Sequence, residues 1–152
     1  EDNINKQPNN QFGIVMADID DFKKVNDVYG HQFGDEVLIE VCNIISSNIG
    51  SQDFLARYGG EELIIYVDDV SDRKKVFQKI DNIRTKISEK IIEYENLSAK
   101  ITISFGISYY TNEKSSLKNV LKSADDMLYY SKKNNKNRVT SIDSFNDLGL
   151  II

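Results

Sequence analysis

Near the middle of the chain two strand-like runs, "DFLARY" and "EELIIYV", are separated only by Gly59 and Gly60. This pattern reads as a β-hairpin, with glycine supplying positive φ at no steric cost. A sheet that contains it is at least partly antiparallel, and the helical stretches on either side must cover its faces. The hairpin also carries a puzzle. Two glycines cost conformational freedom, and the adjacent Glu61 and Glu62 repel each other, yet all four residues stand at one turn.

The remaining elements follow from periodicity. "FGIVMADI" (12–19) is an apolar run of strand length. Phe22, Val25 and Tyr29 are spaced for one face of a short helix that Gly30 stops. A second helix is expected over "GDEVLIEVCNIISSNIG", with Asp35 as a plausible N-cap and Gly50 as a plausible stop. Its inward stripe is Leu38, Val41, Cys42, Ile45 and Ile49. Arg73 to about Tyr94 reads as a long amphipathic helix with Val76, Ile80, Ile83, Ile87 and Ile91 on one face. "KITISFGISYY" alternates and is rich in β-branched residues, hence a strand. Ser116 to Asn134 is another helix, with Leu117, Val120, Leu121, Ala124 and Leu128 inward, and "RVTSI" is a last short strand. The expected fold is α+β: a central, mainly antiparallel sheet of about five strands wrapped by helices. Residues 1–11 read as a flexible lead-in, 12–142 as one domain, and 143–152 as a tail of unassigned role.

Bulk properties exclude several classes. At 152 residues the chain is one ordinary domain. It holds no apolar run of ~18 residues or more, as a membrane-spanning helix needs, and its start lacks the basic and apolar regions of a signal peptide. A net charge of −5 argues against coating a nucleic acid but leaves room for a single nucleotide held by a few lysines and a metal ion. The one cysteine, Cys42, cannot form an internal disulfide and reads as buried packing, which fits a reducing, cytoplasmic location.

Candidate chemistry gathers at two places. Asp18, Asp20 and Asp21 end the first strand, where residues two apart share a face at roughly 6–7 Å. A carboxylate ending a buried apolar strand needs a partner, and a hard cation such as Mg²⁺ is a natural one; for Asp20 and Asp21 a helix N-cap is the plainer reading. If the hairpin packs beside this strand, its tip brings Glu61 near Asp18, and glycines there let a ligand approach the backbone. Solvated glutamates on a surface hairpin are the alternative. The strand-to-helix turn at Asp21, Phe22 and Lys23 offers backbone N–H groups suited to phosphate. Asp35 can accept the two donors on the edge of guanine, and Asn26 can both donate and accept; as plain structure they would be an N-cap and a polar helix face. His31, the sole histidine, reads as a local hydrogen-bonding residue, and the run "SKKNNKNR" as a solvated helix end or a polyphosphate clamp.

In order and spacing, "DIDDFKKVNDVYGHQFGDEVL", "RYGGEEL", "ITISFGIS" and "ADDMLYYSKK" resemble the GGDEF-domain diguanylate cyclases, from about Phe12 to Val139. The resemblance implies a fold related to the palm of nucleotidyl cyclases and polymerases, and synthesis of cyclic di-GMP from two GTP across a homodimer. It implies Asp18, Glu61 and the Ile19 carbonyl as ligands of Mg²⁺, or Mn²⁺ in its place, with Glu61 and Glu62 as the catalytic pair. Asn26 and Asp35 would read guanine, and His31 would lie in the nucleotide site. The backbone at Asp21, Phe22 and Lys23, together with Lys132 and Lys136, would hold phosphates. A sensory or dimerising region upstream is also implied.

Four departures from the family pattern stand out. Leu63 replaces the final Phe of the motif, a packing position where activity should survive. Lys136 replaces an Arg and loses its bidentate fork. Gly50 stands where an inhibitory product site carries Arg, leaving only Asp53, so product feedback there is not expected. The helix and turn that usually precede the first strand have no counterpart in residues 1–11. A catalytically weak GTP-binding regulatory module is the competing expectation.

Overall fold

A computed structural model of the chain describes residues 11–111 and 116–147, with side chains omitted for 145–147. The lead-in expected over residues 1–11 lies outside the described residues except for Gln11. So do residues 148–152 of the tail.

The elements in chain order are β1 (Phe12–Ile19), α1 (Phe22–Tyr29), α2 (His31–Ser47), β2 (Phe54–Gly59), β3 (Glu62–Val67), α3 (Arg73–Glu89), β4 (Ile92–Tyr94), β5 (Leu97–Ala99), β6 (Ile103–Tyr110), α4 (Leu117–Lys133), β7 (Val139–Ser141) and α5 (Ile142–Asp147). Five strands form one sheet in the order β2-β3-β1-β6-β7. Its pairs are antiparallel except β6–β7, which is parallel. The expected α+β architecture with a central, mainly antiparallel sheet is therefore the one observed.

β1 is the middle strand, with helices on both faces, which explains its unbroken apolar run. Val15, Ala17 and Ile19 join Val37, Val41 and Ile45 of α2 and Val76, Ile80, Ile83 and Ile87 of α3 in the larger core. Phe12, Ile14 and Met16 face the other way, onto Val120, Ala124 and Leu128 of α4. Leu63 is 1% exposed and belongs to the larger core, behind the hairpin turn. Cys42 is half-buried against that core, and burial pushes its thiol pKa up, against Arg57.

Several boundaries differ from expectation. Asp35 caps nothing: α2 begins four residues earlier at His31, with Gly30 serving as both C-cap of α1 and N-cap of α2. Gly50 is not the helix stop, because Asn48 is the C-cap of α2. α3 starts at the Asp72 cap, which accepts from the amides of Lys74 and Lys75, but ends at Glu89. The i+4 stripe points on to Ile91, yet Ile91 is 54% exposed and Ile92, 1% exposed, fills the core position. The alternating "IEY" and "LSA" pair instead as a two-stranded sheet around a turn with Glu95 at φ 54°. β6 starts at Ile103 rather than at Lys100. Leu117 is exposed, since it lies at the first turn of α4, beyond the sheet-facing stripe. The start of the unassigned tail is helix α5, where Asp143 pairs with Arg73 at 3.0 Å.

Candidate active site

Alternation along β1 sends Asp18 and Asp20 to the α4 side of the sheet, in series with Ile14 and Met16. The α4 stripe that carries Val120, Ala124 and Leu128 reaches Lys132 one turn later. Its Nζ lies 3.9 Å from Asp18 Oδ2, 3.1 Å from the Asp18 carbonyl and 2.7 Å from Asp20 Oδ1. β1–β3 pairing sets Glu62 directly opposite Asp18, and β1–β6 pairing sets Ser104 on its other side.

The hairpin tip contains an irregularity. Register shifts between Arg57 and Gly59, and Arg57 Nε reaches round the turn to the Gly60 carbonyl at 2.9 Å. Gly60 sits at φ 49°, where an L side chain is strained. Gly59 has no positive φ, and a Cβ there would meet nothing within 4 Å. The fold itself therefore explains only one of the two glycines. Gly59 gives the tip an open backbone surface beside two carboxylates, which suits close approach of a ligand.

Asp18 Oδ1 is buried and has no hydrogen-bond partner. Burial pushes the Asp18 carboxyl up to about 6; Lys132 opposes the rise, while Glu61, Glu62 and Asp20 add to it. A lone pair left without a donor, in a locally negative site, fits a cation. Glu61, Glu62 and Asp20 are the carboxylates near enough to act on Asp18 electrostatically. Among the described residues, no three acidic, histidine or cysteine side chains already converge into a metal cage, so bound substrate or water oxygens would have to complete the shell.

Asp21 adopts φ 56°, ψ 32° at the N-cap of α1, and no side chain caps that helix. The amides of Phe22 and Lys23 open its first turn and face no capping oxygen. The Lys23 side chain points away and pairs with Asp27 at 3.5 Å. Lys136 Nζ approaches the same turn, 2.7 Å from Asp21 Oδ1. It does so from a turn in which Asn135, Lys136 and Asn137 all have positive φ.

Asn26 lies about one turn along α1. Its Oδ1 is buried and unpartnered, and a Cβ built on Gly34 would fall on it. Asp35, the next residue, is exposed, as is His31 at the start of α2. The Asn26 side chain can accept through this oxygen and donate through its Nδ2, and the Asp35 carboxylate can only accept, a combination suited to a base edge that carries both donors and acceptors. The sequence-predicted residues thus lie at three places: Asn26 with Gly34 and Asp35 between α1 and α2, the uncapped start of α1, and Asp18 beside the hairpin. Among the described residues, none forms a hydrogen bond or ion pair with the His31 side chain.

For Asp20 the sequence leaves a helix N-cap and a cation-site carboxylate both open; it caps nothing, and both of its carboxylate oxygens are hydrogen-bonded inside the site. Its position two residues after Asp18, on the same strand face, was the available signal.

The sequence model of the family described as diguanylate cyclase, GGDEF domain, matches residues 1–138, beginning upstream of the Phe12 expected from motifs. Diguanylate cyclase A of Treponema denticola is 44% identical over 127 residues, covering 84% of this chain and 34% of that protein. The response regulator PleD of Caulobacter vibrioides is 34% identical over 127 residues, covering 82% of this chain and 28% of that protein. This chain thus spans about a third of the length of these curated relatives. The GGDEF domain of DgcB from Caulobacter crescentus, solved in complex with c-di-GMP, superposes with a TM-score of 0.82 at 33% identity, covering 88% of this chain and 79% of that one. The active GGEEF domain of a diguanylate cyclase from Vibrio cholerae superposes with a TM-score of 0.78 at 30% identity, covering 86% and 82%. In sequence and in fold alike, this chain belongs to the GGDEF-domain family of diguanylate cyclases.

Proposed function

We propose that this domain condenses two molecules of GTP into cyclic di-GMP. The observation that carries the reading is the buried, unpartnered Asp18 oxygen at the end of β1, opposite Glu62 and beside the glycine-opened hairpin turn. Asp18, Glu61 and the Ile19 carbonyl would hold Mg²⁺, or Mn²⁺ in its place. A cation bound there would supply neutralisation of the charge developing on the phosphate and polarisation of the attacking hydroxyl.

The chain's own residues set the geometry. Asn26 and Asp35 read the guanine edge, which selects against adenine because adenine lacks that donor pair. The amides of Phe22 and Lys23, following Asp21, receive phosphate oxygens at the end of α1. Lys132 and Lys136 balance the remaining phosphate charge, and His31 borders the nucleotide. Glu61 and Glu62 stand where the 3′-hydroxyl of the second GTP must arrive, with Glu61 helping to take up its proton. The 3′-oxygen forms a bond to the α-phosphorus, the bond to the β-phosphate bridge breaks, and pyrophosphate leaves in line. A second, reciprocal step closes the ring. One domain holds one GTP, so turnover requires a homodimer with the two sites facing, and holding both substrates contributes much of the rate. We place the domain in the cytoplasm, coupled to an upstream sensory or dimerising region, and with no role for nucleic acid or membrane contact.

A second reading, a GTP-binding regulatory module of low activity, is favoured by one feature: Lys136 is already paired with Asp21 at 2.7 Å, so phosphate must compete for it. Mass spectrometry of the products formed from GTP and Mg²⁺, with equilibrium GTP binding measured alongside, separates the two. The cyclase makes cyclic di-GMP; the module binds GTP without turnover.

A further inference from the structure

Asp20 is 3% exposed, and each of its carboxylate oxygens accepts two hydrogen bonds. Oδ1 receives Ser104 Oγ and Lys132 Nζ, both at 2.7 Å. Oδ2 receives Thr102 Oγ1 at 2.7 Å and the backbone N–H of Asn137 at 2.9 Å. These bonds fill the four acceptor sites of a carboxylate. Asp20 thereby has no acceptor site left for a metal ion.

Its partners carry the consequence. An ammonium has three donors. For Lys132, Asp20 Oδ1 takes one and the Asp18 carbonyl, at 3.1 Å, takes a second. The third is left on the side of Asp18 Oδ2, 3.9 Å away. The other arm of Asp20 holds Asn137, the last of three consecutive left-handed residues. That conformation is unfavourable for Lys136, and it is pinned by Asp20, by the Lys136 amide on the Ser131 carbonyl at 3.0 Å and by Arg84 on Asn137 Oδ1 at 2.8 Å. From this turn Lys136 reaches the start of α1, with its Nζ 2.7 Å from Asp21 Oδ1.

We propose that Asp20 is the positioning residue for the phosphate end of the substrate site: one oxygen aims Lys132 with a single donor free, and the other locks the turn that delivers Lys136. This rests on the reading of the site as a GTP site. Asp20 acts on both lysines at once and touches no substrate. It therefore governs triphosphate recognition and leaves guanine recognition at Asn26 and Asp35 alone.

The test compares affinities for GMP and for a GTP analogue with a methylene α–β bridge, which cannot react, in Mg²⁺, by calorimetry. The parent should prefer the triphosphate. Asp20→Asn keeps the shape but removes the charge, and it should lose about tenfold in triphosphate affinity, the worth of one hydrogen bond to a charged group, with GMP affinity unchanged. In a Lys132→Met background, Asp20→Asn should cost less than in the parent. If Asp20→Asn fails to fold, the Thr102→Val, Ser104→Ala pair loosens Asp20 while sparing both lysines, and should weaken triphosphate binding about threefold, again with GMP unchanged. Equal losses for both ligands in these variants, or none, would overturn the positioning role while leaving the GTP site standing. A parent that shows no preference for the triphosphate over GMP would overturn both.

Discussion

Asp18 and Asp53 both stand at strand ends with a lysine close by, and their surroundings set them to opposite uses. Asp53 precedes β2. Its Oδ2 accepts from the Gly50 amide at 2.7 Å and from Lys79 at 2.9 Å, and its Oδ1 accepts from the Asp68 amide at 2.9 Å. Despite burial, those bonds hold its pKa below the ordinary value. Asp18 ends β1 with Oδ1 buried and unpartnered, and its pKa is pushed up to about 6. Asp53 is bound by its own chain, and closes the turn between α2 and β2 onto the end of β3. Asp18 has a deficit that its own chain does not fill. Counting partners, more than counting charges, separates a carboxylate that builds the fold from one that awaits a ligand.

The largest expected effect of a substitution lies at the end of β1. Asp18→Asn should abolish cyclic di-GMP formation, a loss of at least about 100-fold for a metal-binding carboxylate, without lowering stability in urea, because a buried like-charge conflict is relieved. A clear drop in stability would mean that Asp18 is structural after all. Asp53→Asn should do the reverse. It leaves donors on Gly50, Asp68 and Lys79 poorly matched, and should cost about 1–3 kcal/mol of unfolding free energy while specific activity stays within about twofold.

The pH dependence sharpens the same point. The folded pKa of Asp53 lies below the unfolded value of 3.8, so its stabilisation is present above 3.8 and is lost as pH falls through the folded value. Acid titration of the unfolding free energy should therefore show a steeper loss below pH 3.8 in the parent than in Asp53→Asn. Product regulation follows from the same pairing. Gly50 supplies no side chain, and Asp53 is already engaged by Gly50, Asp68 and Lys79, so Asp53→Asn should leave the response to added cyclic di-GMP unchanged. The smallest effects lie in the glycine pair. Gly60→Ala should cost about 1 kcal/mol of stability for its positive φ, whereas Gly59→Ala should leave stability unaltered and weaken only nucleotide binding.

Elements whose signal is local were legible in the sequence. β1, the hairpin, the stripe of α4 and the carboxylates of Asp18 and Glu61 each follow from periodicity or turn chemistry within a short window. Misreadings arose where a tertiary contact outweighs the local pattern. The stripe of α3 runs on smoothly to Ile91, but Ile92 has the better place in the core, and the chain turns into β4 instead. Asp35 looks like a cap because Gly34 precedes it, yet Gly34 is a glycine to make room for Asn26 on the neighbouring helix. Asp20 was hidden most deeply, since its partners Thr102 and Asn137 lie 82 and 117 residues away in sequence. No window on β1 reveals that it is saturated while Asp18 is not.

The most direct test of the account is mass-spectrometric detection of cyclic di-GMP after incubating the domain with GTP and Mg²⁺, as a free protein and held as a dimer by a fused coiled coil, beside Glu61→Ala. Product is expected from the parent, greater in the forced dimer, and none from Glu61→Ala. Product from both proteins would contradict the placing of the metal at Asp18 and Glu61. Silence from the parent even as a dimer would contradict the cyclase reading itself.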